Sequence, residues 1–569
     1  MSYRLQYNYP VGRNYGNTIP VAPECLNPQA VWNTTTHIYH RSQVEPNLSV
    51  NPLDDNEIVV VWQQGRIDNG GALTIGIAYT HNGGKKWEYT CLPIQICSAC
   101  RDTHKCEHIK SELQTQRASD PWLTWSADGS KCFLNIIMFN ATAVPDSTVQ
   151  QAVMTTISRN GGETWGPFIL QSVSDVYLSG GTGFLDDKNS ITADPYRTKY
   201  IYTVWDRLPS RDSYHSDTML SLSRDKGRNW EPTRLIYDPY PDLFAQRLSN
   251  DIYDDCSTIN NIVVAIPERA LCFMTRTYAK PGATDEQYKT DTFPYQYTKQ
   301  DIVFIQSDNK GRTWSKRARL VVDLGVNNVV FTGGYIHDAE RNIITSRGYK
   351  IRSGDVTFSV AANKRTGDIY LVYQTGIFRS DKLCQIALVK SSDEGITWSE
   401  PIRVSRTPTE SLNPQAFTPT VSVSDNGIIA VMYADFRNDD LRTSGIQDKG
   451  EYPMDHVTKT DVWVALYEDT TASQEVNQII FSQEIRLTEK SFGIEFGPFT
   501  TMGIMSFGDY MAIREVDGAF YLAYTAIPQK NLPFPPPEGM ELYYEDSTNN
   551  AALYLDRYIR SIVYVAKIS

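Results

Sequence analysis

The sequence predicts an all-β protein built as a β-propeller of four-stranded antiparallel sheets. The first sign is one octapeptide frame that occurs five times, with Ser or Thr first, Asp or Asn third, Gly fifth and Trp eighth. Its copies are residues 80–87, 158–165, 223–230, 307–314 and 391–398. The second sign is that each copy follows a short apolar run of the kind that forms a strand. One hairpin corner repeated at long intervals is typical of a propeller or solenoid.

The octapeptides have a physical reason to form tight turns, and we call them the octapeptide turns. The third side chain can accept hydrogen bonds from nearby backbone N–H groups, as Asx turns do. The fifth-position glycine permits the left-handed backbone that follows. The Trp can then pack back onto the sheet. These turns therefore predict the corner between the third and fourth strands of a sheet.

Composition and charge exclude several classes of protein. The chain has 569 residues, 41% of them hydrophobic and 21% charged, which is typical of a globular protein. The net charge of −12 argues against a nucleic-acid or anionic-membrane partner. No apolar run reaches the roughly 20 residues of a membrane span. The first residues lack the apolar stretch of a signal peptide, so we expect a cytoplasmic protein or one packaged in a virion.

Strand pairs recur along the chain after a non-repetitive N-terminal segment, residues 1–44. First strands are expected at 46–50, 120–125, 190–193, 261–266, 356–361, 420–423 and 510–513, each followed by a second strand. We therefore expect a propeller over residues 45–569 with seven blades, and six is the alternative. The last unit ends at residues 561–568 without a fourth strand. We expect the N-terminal segment to supply that strand and to remove the exposed sheet edges.

Strand direction predicts where binding residues lie. The octapeptide turns join third and fourth strands, so they occupy one side of the ring. The long insertions all fall on the opposite side, at residues 94–119, 278–300, 317–355, 436–460 and 528–556. Binding residues are often carried on such loops of a rigid scaffold, although long loops can also simply cap the ring.

A recurring polar set is expected on that opposite side. Arginines follow the second strands, and carboxylates precede the first strands. Guanidinium groups bind carboxylates through two parallel hydrogen bonds, so this set predicts binding of an acidic sugar. The alternative is that these arginines and acids pair with one another between blades. The set consists of Arg66, Arg207, Arg276, Arg379, Arg437, Glu45, Asp120, Asp355 and Asp509.

The octapeptide turns resemble the Asp boxes of the sialidase-like (BNR-repeat) propeller superfamily. This resemblance implies a Tyr nucleophile activated by a Glu, an Asp acid/base and three arginines that grip the substrate carboxylate. The stretch VVAIPERALCFMTR resembles the family segment that ends in its second arginine, and Arg276 falls on that position. The family's Glu falls on Asn260, which cannot act as a base.

The remaining catalytic positions are matched less completely. Tyr510 lies near the family's nucleophile, and Asp120 and Asp68 are candidate acids without a motif that fixes them. The family's Arg-Ile-Pro signature is absent, and Glu45-Pro46-Asn47 stands in that region. We expect a propeller that binds an acidic glycan or glycoprotein opposite the octapeptide turns, with exo-sialidase-type glycosidase activity left open. The alternative is a non-catalytic glycan- or protein-binding propeller, for example a surface or virion component with a protein assembly partner.

Four cysteines crowd together in and just before the first long insertion, namely Cys91, Cys97, Cys100 and Cys106. Thiolates at such spacing can hold a structural zinc ion. The second Cys-x-x-Cys pair of a zinc ribbon is missing, and local disulfides or free thiols are equally compatible alternatives. The ring of acids offers a further alternative, a calcium site. No cofactor is required by the predicted chemistry.

Overall fold

A computed structural model describes most of the chain. The described residues are 2–14, 38–68, 70–90, 92, 117–139, 151–174, 183–208, 215–244, 256–279, 298–325, 343–344, 350–354, 357–411, 413–439, 458–470, 478–494, 497–498, 505–506, 508–527 and 561–569. They form strands almost throughout, with one α-helix, α1 (Pro239–Phe244), and one 3-10 helix at Val11–Asn14. The predicted all-β class is confirmed. No helix among these residues is both long and apolar enough to cross a membrane.

The strands of the N-terminal half follow the predicted repeat. A first strand, β1 (Leu5–Tyr9), precedes three units of four strands each, and a bridge between Ala72 and Ala118 joins the first two units into one eight-stranded sheet. Unit 1 contains β2 (Ile38–Asn51), β3 (Asp54–Ile67), β4 (Ala72–His81) and β5 (Glu88–Thr90). Unit 2 contains β6 (Arg117–Trp125), β7 (Cys132–Phe139), β8 (Gln151–Ser158) and β9 (Ile169–Ser174). Unit 3 contains β10 (Leu185–Ala193), β11 (Ile201–Leu208), β12 (Asp217–Ser223) and β13 (Arg234–Tyr237).

The C-terminal half continues the same order with four short additional strands. Unit 4 contains β14 (Cys256–Ala265), β15 (Ala270–Ala279), β16 (Thr298–Ser307) and β17 (Arg319–Gly325), and β18 (Ile343–Ile344) and β19 (Lys350–Arg352) follow it. Unit 5 contains β20 (Ser359–Ala362), β21 (Ile369–Thr375), β22 (Gln385–Ser391) and β23 (Ile402–Arg403). Unit 6 contains β24 (Ala416–Val423), β25 (Ile428–Asp435), β26 (Lys459–Asp469) and β27 (Ile479–Arg486), and β28 (Phe492–Gly493) pairs with β26. After β29 (Met505–Ser506), unit 7 contains β30 (Ala512–Val516), β31 (Ala519–Ala526) and β32 (Ile562–Ile568).

The units are antiparallel sheets arranged as a β-propeller. The first strand of each unit contacts the first strand of the next, and β30 of unit 7 contacts β2 of unit 1. Apolar clusters fill the spaces between neighbouring sheets. Units 1 and 2 share one such cluster, and units 7 and 1 share another. Burial of these side chains between sheets is the main force that holds neighbouring units together.

The N-terminal strand pairs with the last strand of the chain. β1 pairs antiparallel with β32, with Leu5 opposite Ile568 and Tyr9 opposite Val565. It is therefore the outermost strand of unit 7, in sheet order β1, β32, β31 and β30. This pairing covers the edge of β32 that unit 7 would otherwise expose.

The octapeptide turns share one hydrogen-bond pattern. In each, the first-position hydroxyl accepts a bond from the fifth-position glycine N–H, and the third-position side chain accepts one from the seventh residue. In the unit 3 copy, Gly227 N lies 2.7 Å from Ser223 Oγ, and Asn229 N lies 2.8 Å from Asp225 Oδ1. The same two bonds occur in the other four copies. The predicted turns are thus present at the corners between third and fourth strands.

Each octapeptide glycine also contacts the preceding unit. A methyl group added at Gly311 would lie 2.9 Å from the Tyr202 ring, and one at Gly395 would lie 2.6 Å from Phe304. Gly84 of unit 1 has the same relation to Tyr7 on β1, in unit 7. The turns therefore act as packing devices between sheets as well as corners within them.

Candidate functional site

Five inner strands carry the same backbone irregularity. The register shifts by a β-bulge within β2, β6, β10, β14 and β24. One residue in each bulge has a left-handed backbone. These residues, which we call the bulge positions, are Glu45 (φ 53°), Asp120 (φ 49°), Lys188 (φ 46°), Asn260 (φ 62°) and Thr418 (φ 51°). A left-handed residue other than glycine costs about 1–2 kcal/mol, and such strain persists most often at functional sites.

The local sequence helps to explain three of the bulges. Pro46, Pro121 and Pro419 directly follow bulge positions. Proline has no N–H to give to a neighbouring strand, so a ladder bond cannot form at that point and a bulge is favoured. Bulges re-aim side chains, and here they gather charged groups from separate units. Together with neighbouring residues these groups form the bulge cluster, consisting of Glu45, Asp120, Asp187, Lys188, Arg352, Asp509 and Tyr510.

Two cations converge on one carboxylate at the centre of the bulge cluster. Lys188 Nζ lies 2.7 Å from Asp509 Oδ2 and 3.6 Å from Asp120 Oδ2. Arg352 Nε lies 2.6 Å from Asp509 Oδ1, and its second nitrogen binds the other oxygen. Burial opposes ionisation of Asp509, but Arg352 and Lys188 outweigh it and hold the pKa of this carboxyl well below its usual value. Asp509 is therefore a buried anion that joins unit 7 to unit 3.

Elsewhere in the bulge cluster, two carboxyl groups, those of Glu45 and Asp120, contact the side-chain amide of Gln63. Gln63 Nε2 donates to Glu45 Oε2 and lies 3.4 Å from Asp120 Oδ1. Glu45 is only 3% exposed. Burial raises the pKa of Glu45 to about 7, with Lys188 opposing the rise and Asp120 and Asp509 adding to it. Glu45 thus exchanges its proton near neutral pH and can serve as an acid or a base.

Tyr510 brings a neutral hydroxyl to the same place. Its ring lies 5.6 Å from the ring of Trp122, and Lys188 Nζ lies 5.9 Å from its centroid. The buried hydroxyl has no hydrogen-bond partner within the part of the chain that the structure describes. Burial, followed by the charges of Asp120 and Glu45, raises the pKa of Tyr510 well above its usual value. The hydroxyl therefore stays protonated at neutral pH and is available as a donor.

Beyond the bulge positions the inner strands enclose a cavity of about 470 Å³. Trp122, Asn260 and Tyr510 line it where it adjoins the bulge cluster. It continues along the inner strands to Pro52 and Ala127, beside the hairpins that join first and second strands. The bulge cluster thus caps one end of a central channel.

Three of the predicted arginines are engaged within their own units. Arg207 Nε lies 2.8 Å from Asp186 Oδ1. Arg276 Nη2 lies 2.7 Å from Asp301 Oδ2. Arg437 binds Asp435 and Glu484. The alternative of arginine–acid pairing therefore describes these three better. The pairs named above lie within units, and Arg276 also binds Asp242 on α1, which follows unit 3, so one pairing runs between units.

The other two predicted arginines differ from these. Arg66 Nη1 donates to Gln63 Oε1 at 2.7 Å, so it supports the amide that holds Glu45 and Asp120. The side chain of Arg379 is 15% exposed, and its guanidinium binds the exposed carboxylate of Asp381 and the Thr409 carbonyl oxygen. Of the hydrogen bonds described for the five arginines, only that of Arg66 goes to a residue, Gln63, that contacts the bulge cluster.

The predicted carboxylates and Tyr510 come together more closely than the arginines. Glu45, Asp120, Asp509 and Tyr510 all belong to the bulge cluster. Asp68 is buried directly after β3. Asp355 and the four cysteines, Cys91, Cys97, Cys100 and Cys106, lie outside the described residues, as does most of each long insertion. The zinc, disulfide and free-thiol alternatives therefore stay predictions.

Sequence reasoning missed Lys188, Arg352, Asp187 and Gln63. A signal for Lys188 did exist, because it holds the same position in unit 3 as Glu45 and Asp120 hold in units 1 and 2. A search limited to acids passes over it. Arg352 lies on β19, which pairs with β29 outside the four-stranded units, so the repeat pattern gives it no place.

One group of described residues could share a metal ion. His215 Nε2 lies 3.0 Å from Asp217 Oδ1 and 3.9 Å from Asp238 Oδ1. Their ligand atoms all lie within 4.8 Å of one another. This group lies away from the ring of acids, and the calcium site predicted there stays a prediction.

The chain resembles known proteins in structure more than in sequence. No protein-family model matches it, and no curated protein matches it. A sialidase NanB mutant from Streptococcus pneumoniae is 10% identical, with 96% of each chain covered and a TM-score of 0.39. A PL25 ulvan lyase is 12% identical, with 86% of this chain and 92% of that chain covered and a TM-score of 0.42. At these values, the activities in those names belong to those proteins alone.

Proposed function

We propose that this propeller binds a glycan at the bulge cluster, opposite the octapeptide turns, and cleaves it with Glu45 and Asp120. One observation carries the proposal. The carboxyl groups of Glu45 and Asp120, which belong to different units, both contact the Gln63 amide, and both residues have a left-handed backbone. Arg352, whose side chain is 31% exposed, gives the cluster a side open to solvent. A sugar can approach from that side.

The carboxyl pair has the properties that glycoside hydrolysis needs. These enzymes use one protonated carboxyl as acid and a second, ionised carboxyl as nucleophile or base. Glu45, with its pKa raised to about 7, retains a proton at near-neutral pH. One amide nitrogen contacts both groups, so their separation is closer to the roughly 5–5.5 Å of retaining enzymes than to the roughly 6.5–9.5 Å of inverting ones.

The proposed reaction has two steps. Glu45 gives its proton to the leaving glycosidic oxygen while Asp120 bonds to the anomeric carbon. Glu45, now ionised, then takes a proton from water, and this water displaces Asp120 from the sugar. In the sialidase-type form that the Asp-box resemblance implies, Tyr510 replaces Asp120 as nucleophile. Tyr510 would then have to pass its proton to a neighbouring carboxylate, because its raised pKa keeps it neutral.

The charge of the sugar follows from the ion pairs. Lys188 and Arg352 are both bound to Asp509, and Arg207, Arg276 and Arg437 are bound to acids of their own units. An acidic sugar would have to compete with those carboxylates. We therefore expect neutral glycosides to bind more tightly than sialosides, and the acidic glycan predicted from the sequence is the competing outcome.

A fluorogenic panel of neutral and acidic glycosides tests the proposal, together with a glycan array for binding. Glu45→Gln is expected to lower kcat about 10²–10⁴-fold. Asp120→Asn and Tyr510→Phe decide which group is the nucleophile, since its loss removes turnover. Asp381→Asn, at an exposed carboxylate that binds Arg379, is the control and should retain full activity.

Two results would contradict parts of the proposal. Full activity in Glu45→Gln would remove that residue from catalysis. No turnover across the panel and no binding on the array would remove the glycan function. A non-catalytic role then becomes the better account, and one observation favours it: Lys188 bridges acids of units 2 and 7, so the cluster ties sheets together. Binding without turnover would support the binding form of that alternative.

A further inference from the structure

The central cavity contains an arginine that differs from the others described above. Arg514 of β30 lines the cavity, and its Nη1 donates to the carbonyl oxygen of Ile513, its own neighbour, at 2.8 Å. No acidic partner for it occurs among the residues that the structure describes. Arg207, Arg276, Arg352 and Arg437 by contrast each bind at least one carboxylate. Arg514 is thus a cation whose charge the described protein does not neutralise.

The wall around Arg514 is largely apolar. Its apolar side chains include Val50, Leu123, Ile191, Val264, Val360 and Val421. Two further charged residues line the cavity, Lys364 and Glu515, and they pair with each other at 4.0 Å. Hydroxyl groups of the wall are engaged within it. Thr192 Oγ1 donates to the Val263 carbonyl oxygen at 2.9 Å, and Ser359 Oγ lies 3.2 Å from Thr420 Oγ1. Thr192, Ser359 and Thr420 are therefore not free to replace the water shell of an inorganic ion, and the Tyr510 hydroxyl, free within the described part of the chain, lies at the end of the cavity beside the bulge cluster.

Burial without a neighbouring acid makes the charged form of Arg514 unfavourable. It lowers the pKa of Arg514 to about 10, in contrast to the raised pKa of Arg276, where acids outweigh burial. A bound anion would supply the missing charge. A carboxylate fits best, because its two oxygens match the guanidinium fork. The apolar wall would cover the body of the same ligand.

We propose that the central cavity binds an amphiphilic organic monocarboxylate, with its carboxylate on Arg514 and its apolar body along the inner strands. The ligand carries one negative charge because one cation is unpaired. The site lies within the channel that the bulge cluster caps, and it adjoins the proposed glycan site at Tyr510. A cavity of about 470 Å³ is large enough for a medium-chain aliphatic acid, within the usual size range of ligand pockets.

Octanoate and its neutral analogue octanamide test the charge requirement on the unmodified protein. Trp122 and Trp125 line the cavity, so tryptophan fluorescence reports binding, and calorimetry gives the affinity. Octanoate is expected to bind at least tenfold more tightly than octanamide. Inorganic phosphate is expected to bind at least tenfold more weakly than octanoate, because it cannot use the apolar wall.

Two variants test the residue. Arg514→Gln is expected to weaken octanoate binding at least tenfold and to leave octanamide binding unchanged. Arg514→Lys retains the charge and should stay within about tenfold of the unmodified protein. Cooperative thermal unfolding of each variant verifies that it is folded.

Several outcomes would overturn the proposal. These are equal affinity for octanoate and octanamide, tighter binding of phosphate than of octanoate, unchanged octanoate binding in a folded Arg514→Gln, or no octanoate binding at all. The comparison of octanoate with octanamide decides the matter even if a variant fails to fold. Loss of glycosidase activity in Glu45→Gln has no bearing on it, so the two proposals fail independently.

Discussion

The octapeptide turns and the bulge positions both recur from unit to unit, but the turns repeat their residues, whereas the bulge positions repeat only their backbone conformation. The five octapeptide turns keep their residues and their hydrogen bonds, down to the distance from the first hydroxyl to the glycine nitrogen, which is 2.7–3.2 Å. The five bulge positions keep their backbone, with φ between 46° and 62°, but vary their side chains. One position carries Glu, one Asp, one Lys, one Asn and one Thr.

This difference separates folding from function within one chain. A corner that packs on its neighbour needs the same atoms each time, so its sequence repeats. The bulge positions keep the same strained backbone but carry a different side chain in each unit, and packing gives no reason for that variation. The variation gathers an acid pair, a cation and two uncharged groups at one end of the channel, which is what a binding or catalytic site requires.

The largest expected effect comes from Asp509→Asn at the bulge cluster. The change leaves Lys188 and Arg352 without the carboxylate that both bind, and breaking a buried ion pair by removing one partner costs about 3–5 kcal/mol. Chemical denaturation measures the loss in free energy of unfolding. Asp381→Asn removes an exposed partner of Arg379 and should cost about 0–1 kcal/mol. Equal losses in the two variants would show that the cluster contributes no more than a surface pair.

The next effect tests the octapeptide turns as packing devices. Gly395 has φ 86°, and a methyl group there would lie 2.6 Å from Phe304. Gly367 has φ 80°, but a methyl group there would meet nothing within 4 Å. Gly395→Ala is expected to cost about 1–3 kcal/mol more than Gly367→Ala, because both pay for backbone strain and only one must displace a ring. Similar melting temperatures for the two variants would contradict the packing role.

A smaller effect tests whether the turns are equivalent. Replacing the first-position serine by alanine removes one buried acceptor, with an expected cost of about 1 kcal/mol in each turn. The variants are Ser158→Ala, Ser223→Ala, Ser307→Ala and Ser391→Ala. Their denaturation midpoints should shift by similar amounts. Shifts that differ several-fold among the four variants would show that the turns are not equivalent.

A further effect is a change in pH dependence. The pKa of Glu45 is raised from 4.5 to about 7 in the folded protein, so folding favours its protonated form. Its contribution to stability is fully present below about pH 4.5 and is lost as the pH rises through about 7. Glu45→Gln cannot ionise, so its stability should fall less than that of the unmodified protein over this range. Parallel pH profiles of the two proteins would contradict the assigned proton.

The fold was predictable because its signals are local. The octapeptide turns and the alternating strands at residues 120–125 and 420–423 each lie within a few residues of sequence. The site was only partly predictable, since its contacts join distant units. Asp186, Asp301 and Glu484 pair with the predicted arginines from other strands, and no local pattern shows those pairings. Lys188 was missed because the repeated position before the first strand was searched for acidic side chains, whereas what the units share there is the left-handed backbone.

Hydrogen–deuterium exchange with a bound glycan tests the central claim most directly. The ligand is the strongest binder from the array, and the variant Glu45→Gln keeps it intact during the measurement. We predict slower exchange at residues 43–47, 118–122, 186–190 and 508–511, around the bulge positions of units 1 to 3 and Asp509, and unchanged exchange at the octapeptide turns. Slower exchange confined to the octapeptide turns would place the ligand at the other end of the channel and contradict the account.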